Sequence, residues 1–239
     1  MPKCTIKPRA LSLDEVVRAL RRAYGARPPR KRSTPIEELV ETVLSQNTSD
    51  LNSGRAFAAL TRRFGPLEAV AEAPVDAVAE AIKVGGLAQV KAPRIQAILR
   101  EVLRRRGDLD LSFLADLPLE EARGWLRSLP GVGPKTAACV LLFSLGVPAL
   151  PVDTHVFRVA KRLGLLGPRV TAEQAHALLE RQLRPEDVYT LHMGLILHGR
   201  QVCHAPRPEC EGCLFADRCP ARPLFAGAGL MRAPSGGGR

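Results

Sequence analysis

A chain of 239 residues with 46% hydrophobic content can bury a real core and make one or two domains. Lys and Arg number 35 against 24 acids, and the formal charge of +11 favours a polyanionic partner, with ribosomal and RNA-binding roles left as open as any other. Aromatics at 4% exclude a surface that stacks successive single-strand bases, and the longest uncharged run, Thr136 to Val152, is too short for a bilayer and is broken by Gly146, Pro148 and Pro151.

Met1 to Ala10 is basic and polar with no apolar segment of the kind a signal peptide needs, so an intracellular protein with a mobile N-terminal arm is expected. A helix is predicted from near Leu13. Val16, Val17, Leu20 and Ala23 form its apolar stripe, and Arg18, Arg21 and Arg22 stay wet. The stretch ARPPRKRS reads as a basic linker. Thr34 as N-cap, Pro35 at the first helical position and Glu37 three residues after the cap make a capping-box signature for a helix through Leu39, Val40, Val43 and Leu44.

SQNTSD at 45–50 breaks that helix, and Ala56, Leu60 and Phe64 restart the period before Gly65-Pro66 stops it. Short helices are expected over Leu67 to Ala73 and Asp76 to Val84. Gly85-Gly86 ends the second and hands Leu87 to a loop; Ile95, Ile98, Leu99, Val102 and Leu103 then mark a longer helix. Helices are also predicted over His155 to Leu163, Thr171 to Arg181 and Pro185 to Gly199. No stretch alternates as a strand does, no repeat period is present, and the tail 226–239 reads as disordered.

Chemistry concentrates between Leu129 and Asp153. Leu119, Ala122, Leu126 and Leu129 fall at helical spacing, Pro130, Gly131 and Gly133 stop that helix, and Pro134 suits the first turn of another starting near Lys135. This helix–glycine turn–helix unit is expected to turn the amides of Gly131, Val132 and Gly133 outward at a helix N-terminus, where a phosphate fits. Asp153, opening the segment VDTH, suits an N-cap.

A second cluster lies downstream: Cys203, Cys210, Cys213 and Cys219 give C-x6-C-x2-C-x5-C within seventeen residues. Such a tight group in an intracellular chain points to metal ligation rather than disulfides, and the spacing leaves zinc and an iron–sulfur cluster equally open. Cys139 reads as a core residue and Cys4 as part of the arm.

LPGVGPKTA, then VDTHVFRV, then the four-cysteine pattern, in that order, resembles the endonuclease III branch of the helix-hairpin-helix DNA glycosylases over roughly Ser33 to Pro220. The resemblance implies an all-α, two-lobed fold: a six-helix lobe at about 28–146, and a lobe from both chain ends, 1–27 and 147–225, carrying a [4Fe-4S] cluster on Cys203, Cys210, Cys213 and Cys219. It implies a monomer that binds damaged double-stranded DNA between the lobes.

Under that resemblance Lys135 is the nucleophile, and Asp153 assists departure of the base. Deprotonating a free lysine at pH 7 costs about 4.6 kcal/mol, so the site must favour the neutral amine. A helix N-terminus does, whereas a nearby carboxylate opposes it. Asp153 is therefore expected to act by stabilising positive charge on the deoxyribose and relaying protons. Gln46 and Leu87 match the wedge residues that fill the gap left by a flipped base. His155 and Arg158 are expected to orient the acid or touch phosphate, and Arg207 to touch phosphate. Two other functions compete. One is a sibling class that excises mismatched adenine without lyase chemistry. It lacks the lysine and carries a Glu where this chain has Thr42, one residue from Glu41. The other is a non-catalytic DNA-binding or redox-sensing protein.

Overall fold

A computed structural model describes residues 10–25 and 33–225. Most of the expected arm with Cys4, most of the basic linker, and the tail 226–239 lie outside the described residues. Every regular element among them is helical, as expected. The chain divides into two compact units, Pro29–Pro151 and the pair Met1–Pro28 with Val152–Arg239.

The 29–151 unit begins with α2 (Pro35–Leu44), and the capping box forms as its sequence demands. Thr34 Oγ1 accepts from the Glu37 amide, and the Glu37 carboxylate accepts from the Thr34 amide at 2.8 Å. Next come α3 (Asp50–Phe64), α4 (Leu67–Glu72) and α5 (Val75–Ala81). The helix expected to reach Val84 stops at Ala81. The chain tightens into a 3-10 turn over Lys83–Gly85, and Val84 is left exposed.

The long helix α6 (Ala88–Arg106) starts well before the apolar period that predicted it and carries Pro93 as its sixth residue, at the cost of one intrahelical N–H bond. Then α7 (Leu119–Arg127) leads to the glycine turn and α8 (Pro134–Cys139). The backbone continues from α8 in one π turn, Val140–Leu145, until Gly146. Leu39, Val43, Leu44, Ile95, Leu99, Leu126, Ala137 and Leu141 are fully buried in one apolar core, so the hairpin helices are part of the centre of this unit.

The other unit pairs α1 (Leu13–Tyr24) with α9 (Thr154–Arg162), α10 (Ala172–Glu180) and α11 (Val188–Gln201). Leu13, Val16, Val17 and Leu20 are buried as predicted, but Ala23 is exposed and half-buried Tyr24 faces inward instead. A Cβ on Gly194 would lie 2.8 Å from that of Leu20, so α1 and α11 approach as closely as a glycine allows. Asp187, fully buried, accepts from the guanidiniums of Arg21 and Arg184. No helix of the described residues is long and apolar enough to cross a membrane.

Candidate functional site

In the 29–151 unit the glycine turn is built as expected with one correction. Val132 is 6% exposed and its N–H donates to the Leu129 carbonyl, so this amide closes the turn instead of facing outward. The side chain of Val132 joins the core. Gly131 has φ +73°, and a Cβ there would meet Cδ and Nε of Arg94 at 2.9 Å; backbone strain and crowding both require glycine. Lys135 sits half-buried in the first turn of α8, one residue after Pro134.

Leu87 and Asn47, the residue after Gln46, share an uncommon backbone feature. Among the described residues only two non-glycines adopt positive φ: Leu87 at φ +50°, and Asn47 at φ +53° immediately after Gln46. An L-residue in this region costs roughly 1–2 kcal/mol, and a leucine there is a true outlier. Strain of this kind persists only where surrounding contacts impose it, and it gathers at functional sites. Leu87 is 54% exposed, which rules out a simple core leucine.

The contacts that impose it come from α6. Lys91, 2% exposed, donates from Nζ to the Leu44 carbonyl at 2.7 Å and the Gly85 carbonyl at 2.8 Å, two residues before Gln46 and Leu87 respectively. Burial pushes the Lys91 amine down from its ordinary value. Arg94 donates from Nη1 to Gln46 Oε1 at 2.8 Å while its stem lies over Gly131. Sequence reasoning missed both residues.

In the other unit Asp153 is the N-cap of α9, its Oδ1 accepting from the Val156 amide at 2.7 Å. The geometry gives Arg158 a different task from the phosphate contact expected of it. Its Nη2 donates to the carbonyls of Gly199 and Cys203 at 2.9 and 3.1 Å and lies 3.1 Å from His155 Nδ1. One turn on, Arg162 donates to the carbonyls of His204 and Ala205, at 2.6 and 2.7 Å, and reaches the Cys203 sulfur at 3.3 Å. The i, i+4 arginines of α9 thus hold the first part of the cysteine loop by its backbone. Arg207 within that loop is exposed.

The four cysteines converge. Cys203, Cys210, Cys213 and Cys219 all line one cavity, with Leu163, His198, Val202 and Phe225 among the other walls. Among the described residues no three His, Cys, Asp or Glu side chains close around a point that would hold a single metal ion. Burial pushes the Cys213 and Cys219 thiols up, and the neighbouring cysteines add to the shift, so a bound cation is needed to keep them as thiolates. The Phe215 amide donates to the Cys213 sulfur at 3.4 Å, and His198 Nε2 lies at the same distance from that sulfur. Burial lowers His198 to about 4, and the Tyr24 hydroxyl meets its Nδ1 at 3.0 Å.

Residues 40–185 match the model of the HhH-GPD superfamily of base excision DNA repair proteins. The chain belongs to that superfamily. Endonuclease III of Escherichia coli K12 is 35% identical over 187 residues, 78% of this chain and 84% of that one, and endonuclease III of Thermotoga maritima is 34% identical over 85% of this chain and 92% of its own. An Arabidopsis thaliana protein described as a candidate DNA glycosylase is 40% identical over 165 residues, but this chain spans only 56% of its length. Among solved structures, a non-covalent endonuclease III–DNA complex superimposes with a TM-score of 0.76 at 27% identity, covering 89% of this chain and 95% of that one. The HhH-GPD membership bears out the expected class, a DNA glycosylase of base excision repair with an all-helical fold.

Proposed function

We propose that this HhH-GPD protein is a bifunctional DNA glycosylase and abasic-site lyase that removes oxidised pyrimidines from duplex DNA. The observation that carries the proposal is the pair of strained segments, Gln46-Asn47 and Leu87, exposed or half-exposed and bound through Lys91 to one helix. Extruding a base costs a few kcal/mol of unstacking, and rigid projections can fill the gap.

In this mechanism the damaged nucleotide is rotated out of the duplex, and the neutral Nζ of Lys135 attacks C1′ while the base leaves with the electrons of the glycosidic bond. The sugar ring opens to a Schiff base, which acidifies C2′. Loss of a C2′ proton expels the 3′ phosphate by β-elimination, and water then hydrolyses the imine to free the lysine. Asp153, held by its cap bond to Val156, stabilises positive charge on the deoxyribose and passes protons. Gly131 and Gly133 offer backbone N–H groups to phosphate at the start of α8. His155 orients nearby groups, and Arg158, on the evidence of its carbonyl contacts, positions the cysteine loop.

The same proposal gives Cys203, Cys210, Cys213 and Cys219 a [4Fe-4S] cluster. Four thiols around one cavity, without a three-ligand point for a single ion, favour a polynuclear group over zinc. Bound there, it would supply four metal–thiolate bonds that cross-link the loop. Iron and inorganic sulfide in equal amounts in the purified protein support this; zinc without sulfide excludes it. The protein is proposed to work as an intracellular monomer.

The adenine-excising alternative needs a carboxylate where Thr42 stands, and Thr42 is buried with its hydroxyl 3.3 Å from Glu38 Oε1. Borohydride trapping on a duplex with one oxidised pyrimidine decides between the chemistries. The parent protein is expected to become covalently attached to DNA, and Lys135→Gln to lose attachment completely. Equal trapping by Lys135→Gln removes the lysine from its assigned role.

A further inference from the structure

Arg94 bears on which base may stand opposite the lesion. A guanidinium has five donors and no acceptor, so the Gln46 atom 2.8 Å from Arg94 Nη1 must be the carboxamide oxygen, and the usual ambiguity of an amide flip is removed by chemistry. With Oε1 bound to α6, Nε2 is the carboxamide group left to meet an outside acceptor. The bond is well supported. The Arg94 stem is pressed over Gly131, and Lys91, three residues earlier on α6, holds the Leu44 carbonyl two residues before Gln46. Two rotatable groups that would otherwise sample several conformers are thereby fixed to the frame that carries the glycine turn.

We propose that Arg94 is a positioning residue that presents Gln46 to the opposing strand amide-nitrogen first, so that the Arg94–Gln46 pair sets the preference for the base opposite the lesion. This rests on Gln46 being the wedge. An outward NH2 favours a base edge that offers an acceptor, such as N1 of adenine or O6 of guanine, over a position that offers none. A carboxamide free to flip spends part of its time with the wrong atom outward.

The test compares base release from one oxidised pyrimidine placed opposite adenine, opposite guanine, or opposite a baseless tetrahydrofuran residue. The parent is expected to favour the purines. Arg94→Met keeps the stem over Gly131 and removes the donors; it should lower the purine-to-baseless ratio about fivefold, near 1 kcal/mol. In a Gln46→Ala background the same change should move that ratio less than about twofold, because the pair acts as a unit. Gln46→Glu, which leaves α6 untouched, keeps a link to Arg94 but turns an acceptor outward, and should lose the preference even if Arg94→Met folds poorly. An equal effect of Arg94→Met with and without Gln46 would assign Arg94 to the glycine turn alone and overturn the inference, as would retention of the preference in Gln46→Glu. If Gln46→Ala itself leaves the ratio unchanged, the wedge reading fails first, and the inference with it.

Discussion

The two units are stabilised by different means. Residues 29–151 enclose an apolar core in which Leu, Ile, Val and Ala do nearly all the packing, and Lys91 is the one side chain among its largest fully buried residues that is not a hydrocarbon. Both units bury polar side chains, Glu38, Thr42, Gln96 and Ser144 in the first and Asp187, Thr190, His192 and His198 in the second; the unit built from α1 and α9–α11 differs in walling a cavity with four thiols. Burial of hydrocarbon suffices for the first at roughly 25 cal/mol per Å². The second has an apolar core of its own around Val16, Leu20, Val159 and Leu195, and the proposed cluster would add a cross-link through the cysteine loop.

The largest expected effect is on the unit that carries the cysteines. Cys213→Ser should raise amide hydrogen exchange in α1, α9 and α11 a hundredfold or more, about 2.7 kcal/mol, while amides of α2, α6 and α8 change less than about threefold. Uniform loss of protection across both units would mean that the apolar core does not stand alone. Unchanged protection would mean that the cysteines do not hold the loop.

Within the apolar unit Lys91, the most deeply buried of its charged side chains, sharpens the contrast. Lys91→Met fits the hydrocarbon surroundings but strands the carbonyls of Leu44 and Gly85, and each unpaired buried acceptor costs about 1–3 kcal/mol. Chemical denaturation should register a loss of about 2–6 kcal/mol for the two together. Base release should fall further than trapping on a pre-formed abasic site, because the stranded carbonyls belong to the segments that place Gln46 and Leu87 and not to α8. Equal losses in both assays would make Lys91 a stability residue only.

This division explains what was legible in the sequence. The capping box at Thr34, the Asp153 cap and the glycine turn are local, with donor and acceptor a few residues apart, and their spacing is enough to find them. The class of protein was legible for the same reason, since its motifs are short and ordered along the chain. Lys91 and Arg94 were not, because their partners Leu44 and Gln46 lie 47 and 48 residues away and a lysine and an arginine early in a basic helix look like solvated charges. The one available signal was Leu87 following two glycines, which marks a projection but not what anchors it. The carbonyl contacts of Arg158 were hidden for the same reason, since its backbone acceptors, Gly199 and Cys203, become neighbours only through the packing of α9 on α11.

The smallest expected effect asks whether the unit that carries the cysteines touches DNA at all. Arg207 is exposed in the cysteine loop, while Arg158 and Arg162 are occupied with that loop's own carbonyls. If Arg207 neutralises one phosphate, Arg207→Glu should reduce the slope of log K against log salt by about 0.9, weakening binding in low salt while leaving the order of preferred lesions unchanged. Lesion choice depends on contacts to the extruded base and its opposite partner, which a loop contact to the backbone does not reach. An unchanged slope would confine the cysteine loop to scaffolding, leaving the glycine turn and the wedges of the apolar unit as the principal grip on DNA. A shift in lesion order would place the loop beside the base itself, and the separation of the two units into frame and reading surface would fail.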